Sequence, residues 1–432
     1  MRYPAWFPGG AGSGTGEGPF GSLRRSEIRT LRLHLISAAM GGVATGVVLN
    51  HEYIAANGLH ASALQVTALT MLWPVSNVLA VFITHWLDSH GRYDRAVLLS
   101  GLLLRLPIAL MAFSSSVDLM LLLLIPFFAS NSIVGPAQNA IIRRKYRESE
   151  RMRLFGWWYS TLTLFSLPMA MLVGTLLDAD FQTYRILFAA EAAFGAAQAV
   201  FLSVMGRGAG SGLEEKSTGR GAAHFFGSLW RIFRRDREYA LFEIYFFVYG
   251  LAYLMLLPVI PFFATERLHL DYEQYATAKG VIGQLGILLL SPLLGARLRR
   301  VRPFRFTGLA CAVLVAYPLL LAVGDLMPDL GSLFFHLAFF IFAFGMAGVS
   351  MSWNMSSLHF APHGQEATYQ GMHVTLTALR GCIAPVLGTV LLHFGGYLEA
   401  FVTSSALFLL AAVLFLGRHR RAERSATGSG AR

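Results

Sequence analysis

Apolar residues in this chain run in blocks of roughly 20, the length a helix rising about 1.5 Å per residue needs to cross a bilayer. Polar and charged residues collect between the blocks. Twelve blocks are predicted as transmembrane helices: 30–54, 63–87, 95–114, 118–142, 153–177, 182–205, 239–264, 273–296, 304–324, 331–358, 366–393 and 397–417. The longest polar interruption is rich in Gly, Ser and charge, and it splits the blocks six plus six. The expected organisation is a disordered tail at 1–29, a six-helix bundle at 30–205, a linker at 206–238, a second bundle at 239–417 and a tail at 418–432. The end of the linker, HFFGSLWRIFRRDRE, suits either an amphipathic surface helix or a plain solvated connection.

Composition agrees with a membrane protein: 55% of the 432 residues are hydrophobic and 14% charged, where soluble domains carry about 25% charge. The net charge of +11 lies in alternate loops, which points to topology rather than nucleic acid. Arg24, Arg25, Arg29 and Arg32, then Arg92 and Arg95, then Arg143 to Arg153, then Lys216 to Arg237, Arg297 to Arg305 and the tail from Arg418 share one side. The other side carries Asp118, Asp178, Asp180, Asp271, Asp325, Asp329 and Glu399. The positive-inside rule then places both termini in the cytoplasm, as in a multi-pass protein of the inner membrane. Cys311 and Cys382 both fall inside predicted helices. They form no disulfide framework or metal-ligand spacing, and no nucleophile–base motif or phosphate-binding Gly loop accompanies them. No enzyme, cofactor or metal is expected.

The halves repeat. Thr161-Leu162-Thr163 followed by Gly174-Thr175 recurs at an offset of 214 as Thr375-Leu376-Thr377 followed by Gly388-Thr389. Spans five and eleven therefore read as equivalents in a duplicated chain. At the end of span two, Asp88, Gly91 and Arg92 in THWLDSHGRYDR resemble the 2–3 loop signature of the major facilitator superfamily, with Thr84 where its Gly stands and Tyr93 where a basic residue stands. The resemblance covers about residues 30 to 417. It implies an all-α fold of two six-helix bundles around a central cavity, rocking about a midplane site. It also implies a cytoplasmic gate at Asp88, Gly91 and Arg92, with helices 1, 4, 7 and 10 lining the cavity. The second-half counterpart, Gly295 to Arg300, keeps the positive charge and lacks the Asp. The helix-five pattern of drug–proton antiporters is absent from Ser166 to Gly174.

Ionisable residues inside a membrane are expensive and mark function by default. Arg380 stands about 14 residues past Glu366, roughly 21 Å along its helix and near midplane. With His373 and Thr377 it forms one polar stripe, mapped by the repeat onto Tyr159, Thr163 and Ser166. Guanidinium binds carboxylate or phosphate bidentately. Arg380 thus suits a substrate anion; pairing with helix carbonyls or with an acid of the first half, and a gating role, are the alternatives. Arg105 and Glu191 lie at similar depth and are expected to form a structural ion pair. Tyr245, Tyr249 and Tyr253 share a face of span seven, suited to a substrate cavity or to aromatic packing. Asn77, Asn131 and Gln284 suit substrate hydrogen bonds or interhelical ones. Glu52 and His373 are the candidate proton-coupling groups.

The expected function is secondary active transport of a small polar or anionic organic solute by alternating access, coupled to protons, in a monomer within the lipid bilayer. Multidrug–proton efflux antiport is the alternative within transport. A non-transporting membrane sensor or assembly scaffold is the alternative of another class.

Overall fold

The computed structural model describes residues 23–90, 92–207, 227, 231–286, 288–290, 302–362 and 366–429. Among these every element is helical. α1 runs Arg25–Val48 and continues through His51–Tyr53 and Ile54–Gly58; α2 is Ala63–His90; α3 joins Tyr93–Ser100, Gly101–Arg105 and Leu106–Phe113. α4 is Val117–Lys145, α5 Glu148–Ala179 and α6 Tyr184–Gly206. α7 joins Arg237–Leu254, Leu256–Phe262 and Phe263–Arg267; α8 joins Tyr272–Tyr275 and Ala276–Ile282; α9 joins Pro303–Leu314 and Ala316–Leu326. α10 is Gly331–Phe360, α11 Glu366–Gly395 and α12 Tyr397–Ser429. Ten helices among the described residues are long and apolar enough to cross a membrane. The other two expected spans, 63–87 and 273–296, are helical where described.

The packing repeats as the sequence does. α1 lies on α5 and α6, and α7 on α11 and α12; α2 lies on α4, and α8 on α10; α3 lies on α6, and α9 on α12. The bundles meet where α2 packs on α11 and where α5 packs on α8. Small residues make the close crossings possible. A Cβ on Gly42 of α1 would collide with the Leu162 carbonyl of α5, and one on Gly388 of α11 would collide with the Met255 carbonyl of α7.

Among the described residues, the two ends of the molecule show different contacts. At the terminal face, Glu27 of α1 takes Arg147 of the α4–α5 link at 2.9 Å, and Tyr239 of α7 donates to the Tyr369 carbonyl of α11 at 2.6 Å. Both of these join helices within one bundle. The opposite face instead ties bundle to bundle. The Asp178 carboxylate at the end of α5 accepts the Tyr272 and Glu273 amides of α8 at 2.8 and 2.7 Å, while Asp271 accepts the Gln274 amide at 2.6 Å. The first turn of α8, whose amides lack helical partners, is thus capped from both halves.

Candidate functional site

Four stretches of wide, five-residue hydrogen bonding interrupt the helices: Ile54–Gly58, Gly101–Arg105, Phe263–Arg267 and Ala276–Ile282. Such turns often re-aim side chains at functional sites, and two of these four carry cations used below, Arg105 and Lys279.

The first cluster joins α7 to α11. Glu243 and His373 are each 1% exposed, with His373 Nδ1 at 2.9 and 3.1 Å from the two carboxylate oxygens. Two turns along α11, Arg380 is 4% exposed. Its guanidinium donates to the Phe246 carbonyl at 2.7 Å and to the Thr377 hydroxyl at 2.9 Å, and it lies 4.8 Å over the Phe246 ring. Thr377 in turn donates to the His373 carbonyl at 2.9 Å. A Cβ on Gly250 would collide with the Arg380 side chain, so α7 needs glycine there to admit it. In this conformation Arg380 takes a helix carbonyl, one of the roles its position allowed. His373 Nε2 and Arg380 Nε are buried without a hydrogen-bond partner.

The second cluster lies in the first bundle and differs from the expected Arg105–Glu191 pair. Arg105 donates to Ser130 at 2.6 Å, Gln198 at 2.6 Å and Asn131 at 2.7 Å. Glu191, 0% exposed, takes His51 Nε2 at 2.7 Å. Equal depth put the two charges level, but the wide turn at Gly101–Arg105 aims the guanidinium at neutral oxygens of α4 and α6. Asn131 is accordingly held by Arg105.

The third cluster crosses between the bundles. Glu52, expected as a proton acceptor at the outer mouth, forms an ion pair with Lys279 of α8. Beside it Tyr53 stacks on Tyr275 with ring centroids 4.0 Å apart and donates to the Leu270 carbonyl. The repeated Gly-Thr dipeptides also sit at this closure. Thr175 donates to Glu273 at 3.4 Å, and Thr389 shares a hydrogen bond with Thr67 of α2. A Cβ on Gly174 would lie 2.8 Å from Glu273 Cα and from the Tyr272 carbonyl. Exchanging charge tests this closure: Glu52→Lys and Lys279→Glu are each expected to lose the closed face through like-charge repulsion, and the double variant to regain it, read as the distance between spin labels on the two bundles.

The remaining expected residues scatter. Tyr249 is buried and donates to Met346 Sδ at 3.3 Å, and half-buried Tyr253 stacks on it at 6.5 Å. Tyr245 lies on Phe415 at 5.5 Å, so this tyrosine face is packed into the second bundle. Tyr159 is 44% exposed, while Thr163 is buried and donates to the Tyr159 carbonyl at 3.0 Å. Asn77 and Gln284 are half-buried and Arg92 is exposed. Gly91 and the Asp88 side chain lie outside the described residues.

Glu243, His51, Lys279 and Asp178 carry contacts that the sequence reading left unused. Counting residues from the helix ends places Glu243 and His373 at similar depth, which is the signal that pairs them.

Two helical bundles of repeated connectivity, with buried charge between helices and, among the described residues, bundle-to-bundle bonds at the face opposite the termini, define a membrane transporter. The chain belongs to the Major Facilitator Superfamily, whose profile it matches over residues 33–385. It is similar in structure to the human organic anion transporter MFSD10 (TETRAN), with TM-score 0.64, 18% identity and coverage of 91% of this chain and 100% of that one. It is also similar to the nucleoside transporter NupG, with TM-score 0.69, 14% identity and coverage of 91% and 99%. A third similar structure is the peptide transporter POT in complex with sulfate, with TM-score 0.70, 16% identity and coverage of 94% and 96%. No curated protein matches the chain in sequence at a significant level.

Proposed function

We propose that the chain moves a small polar or anionic organic solute by alternating access, coupled to protons, across an inner (cytoplasmic) membrane with both termini in the cytoplasm. The observation that carries this reading is the Glu243–His373–Arg380 cluster. A carboxyl, an imidazole and a guanidinium group buried between two membrane helices stabilise the fold poorly for their desolvation cost, so a working role accounts for them better. The imidazole can carry a proton on either ring nitrogen, and His373 Nε2 is buried without a hydrogen-bond partner. Arg380 is held by a backbone carbonyl, a threonine and an aromatic ring rather than by an acid. A solute anion competing for it is the trigger that would free the helix 7 carbonyl. The basic loops support the cytoplasmic orientation of the terminal face, and the similar transporters of organic anions, nucleosides and peptides favour a small organic solute.

Uptake into proteoliposomes under an imposed pH gradient tests the proposal, with organic anions, nucleosides and peptides as solutes. Accumulation is expected to collapse when a protonophore is added. Glu243→Gln is expected to abolish uphill accumulation while leaving solute exchange measurable. Accumulation indifferent to the pH gradient would remove proton coupling from the reading.

A further inference from the structure

We infer that the face opposite the termini carries a second ligand site, one that takes a small organic ammonium ion and holds the two bundles together. The effect of the ion on transport rests on the alternating-access reading, while its binding does not.

The bundles meet at two junctions that the repeat makes equivalent, α5 with α8 and α11 with α2. Both α8 and α2 begin with the same reciprocal cap, Asp271 with Gln274 on one and Ser62 with Gln65 on the other. The junctions differ in what fills them. At the first, Asp178 of α5 reaches across to the Tyr272 and Glu273 amides, and Phe181 stacks on Tyr272 with ring centroids 6.0 Å apart. The offset of 214 puts Leu392 of α11 where Asp178 stands. Leucine cannot take an amide, and beside Leu392 the second junction holds a cavity of about 440 Å³. Small-ligand sites have that size.

Its walls come from both bundles. Ala61, Ser62 and Ala63 of the first bundle form one side, and Phe262, Leu392 and Tyr397 of the second give the other an apolar and aromatic surface. Thr389, one turn inward from His393, lines it too and is the residue bonded to Thr67 across the junction.

The charge in the lining is negative. Glu266 sits on the wide turn Phe263–Arg267, and its Oε2 accepts the Tyr397 hydroxyl at 2.5 Å, which leaves Oε1 for another donor. Tyr397 is itself fixed by ring contacts with Phe263 at 5.4 Å and Phe401 at 6.5 Å. Arg267, the next residue, is drawn off by Asp325 of α9 at 2.8 Å. A second acid, Glu399, packs beside Gly395 and Gly396. Among the described residues lining the cavity there is no Lys or Arg, and His393 as a neutral imidazole leaves Glu266 uncompensated.

A carboxylate beside aromatic rings and small apolar walls recognises an ammonium group on a short apolar body. The carboxylate supplies charge and a hydrogen bond, and the rings of Phe262 and Tyr397 suit the cation and the body alike. An ion that touches both walls binds only while the bundles are together, so its binding favours the closed face. It acts as a brake on exchange through that face and not as cargo.

The test uses the full-length protein in lipid nanodiscs at pH 8, where an ordinary imidazole is neutral, with 2-phenylethylammonium as the probe. 2-Phenylethanol has the same body without the charge. Calorimetry is expected to show saturable binding of the ammonium, weakened by salt and at least about tenfold weaker for the alcohol and in Glu266→Gln. Glu266 is exposed, so the folded protein is expected to keep its unfolding temperature in that variant. The lock is read by linkage at the other junction. Lys279→Glu, which lies outside the cavity and sets like charges together across the bundles, is expected to weaken probe binding at least about threefold, and adding Glu52→Lys to restore it. No saturable binding, undiminished binding in Glu266→Gln, or equal binding of the alcohol overturns the site. Equal affinity in Lys279→Glu and the double variant overturns the lock. Neither readout measures flux, so the uptake experiment succeeds or fails separately.

Discussion

Arg380→Ala is expected to abolish transport and to destabilise the folded protein by about 2–5 kcal/mol, the range for truncating a large buried side chain to alanine. The truncation strips the Phe246 carbonyl and the Thr377 hydroxyl of their donor. It leaves Glu243 with His373 alone, and it opens a void against Gly250. Arg380→Lys separates the roles. An ammonium still reaches a carbonyl and keeps the charge, so most of the stability should return. If solute is bound bidentately, affinity for an anionic solute should not return with it. Thermal unfolding in detergent and solute binding by calorimetry check the two halves of the expectation. A Lys variant with native affinity would end the case for direct anion recognition.

The second large effect is expected from Gly174→Val, which should stop transport while the protein stays folded. A side chain there meets the backbone of α8 at Tyr272 and Glu273 only while the bundles are together. Separation relieves it at no cost within either bundle. The variant should therefore populate the conformation open at the face opposite the termini, visible as a lengthened label distance between bundles at neutral pH. The repeat-related Gly388→Val makes the control. Gly388 packs on Met255 of α7 inside its own bundle, so that substitution should lower the unfolding temperature instead. Equal destabilisation by both would argue against a closure role for Gly174.

Much of the architecture was legible because the bilayer imposes a period and a length. Blocks of apolar residues announced helices. The Gly-Thr recurrence pointed to α5 and α11, and both copies bring a threonine to the junction between bundles, Thr175 on Glu273 and Thr389 on Thr67. The glycines beside them have different partners, α8 for Gly174 and α7 for Gly388, a divergence that an offset alone cannot reveal.

Side-chain partnership was legible only in part, since depth along a helix fixes one coordinate of three. Arg105 and Glu191 share a level, yet rotation at the wide turn of α3 gives them separate partners. The polar stripe on α11 was read from the spacing of His373, Thr377 and Arg380. That its cation faces α7 depends on Gly250, whose missing side chain leaves no polar signal. Glu52 stood out in the sequence as a proton-coupling candidate, and its counter-ion Lys279, on the wide turn of α8, became visible only in the fold.

The carboxylate of Asp178 has one more consequence. It satisfies the Tyr272 and Glu273 amides from across the junction, so any separation of the bundles exchanges a charged helix cap for solvent. Hydrogen–deuterium exchange at those two peptide groups is then expected to run fast with the bundles apart and slow with them together.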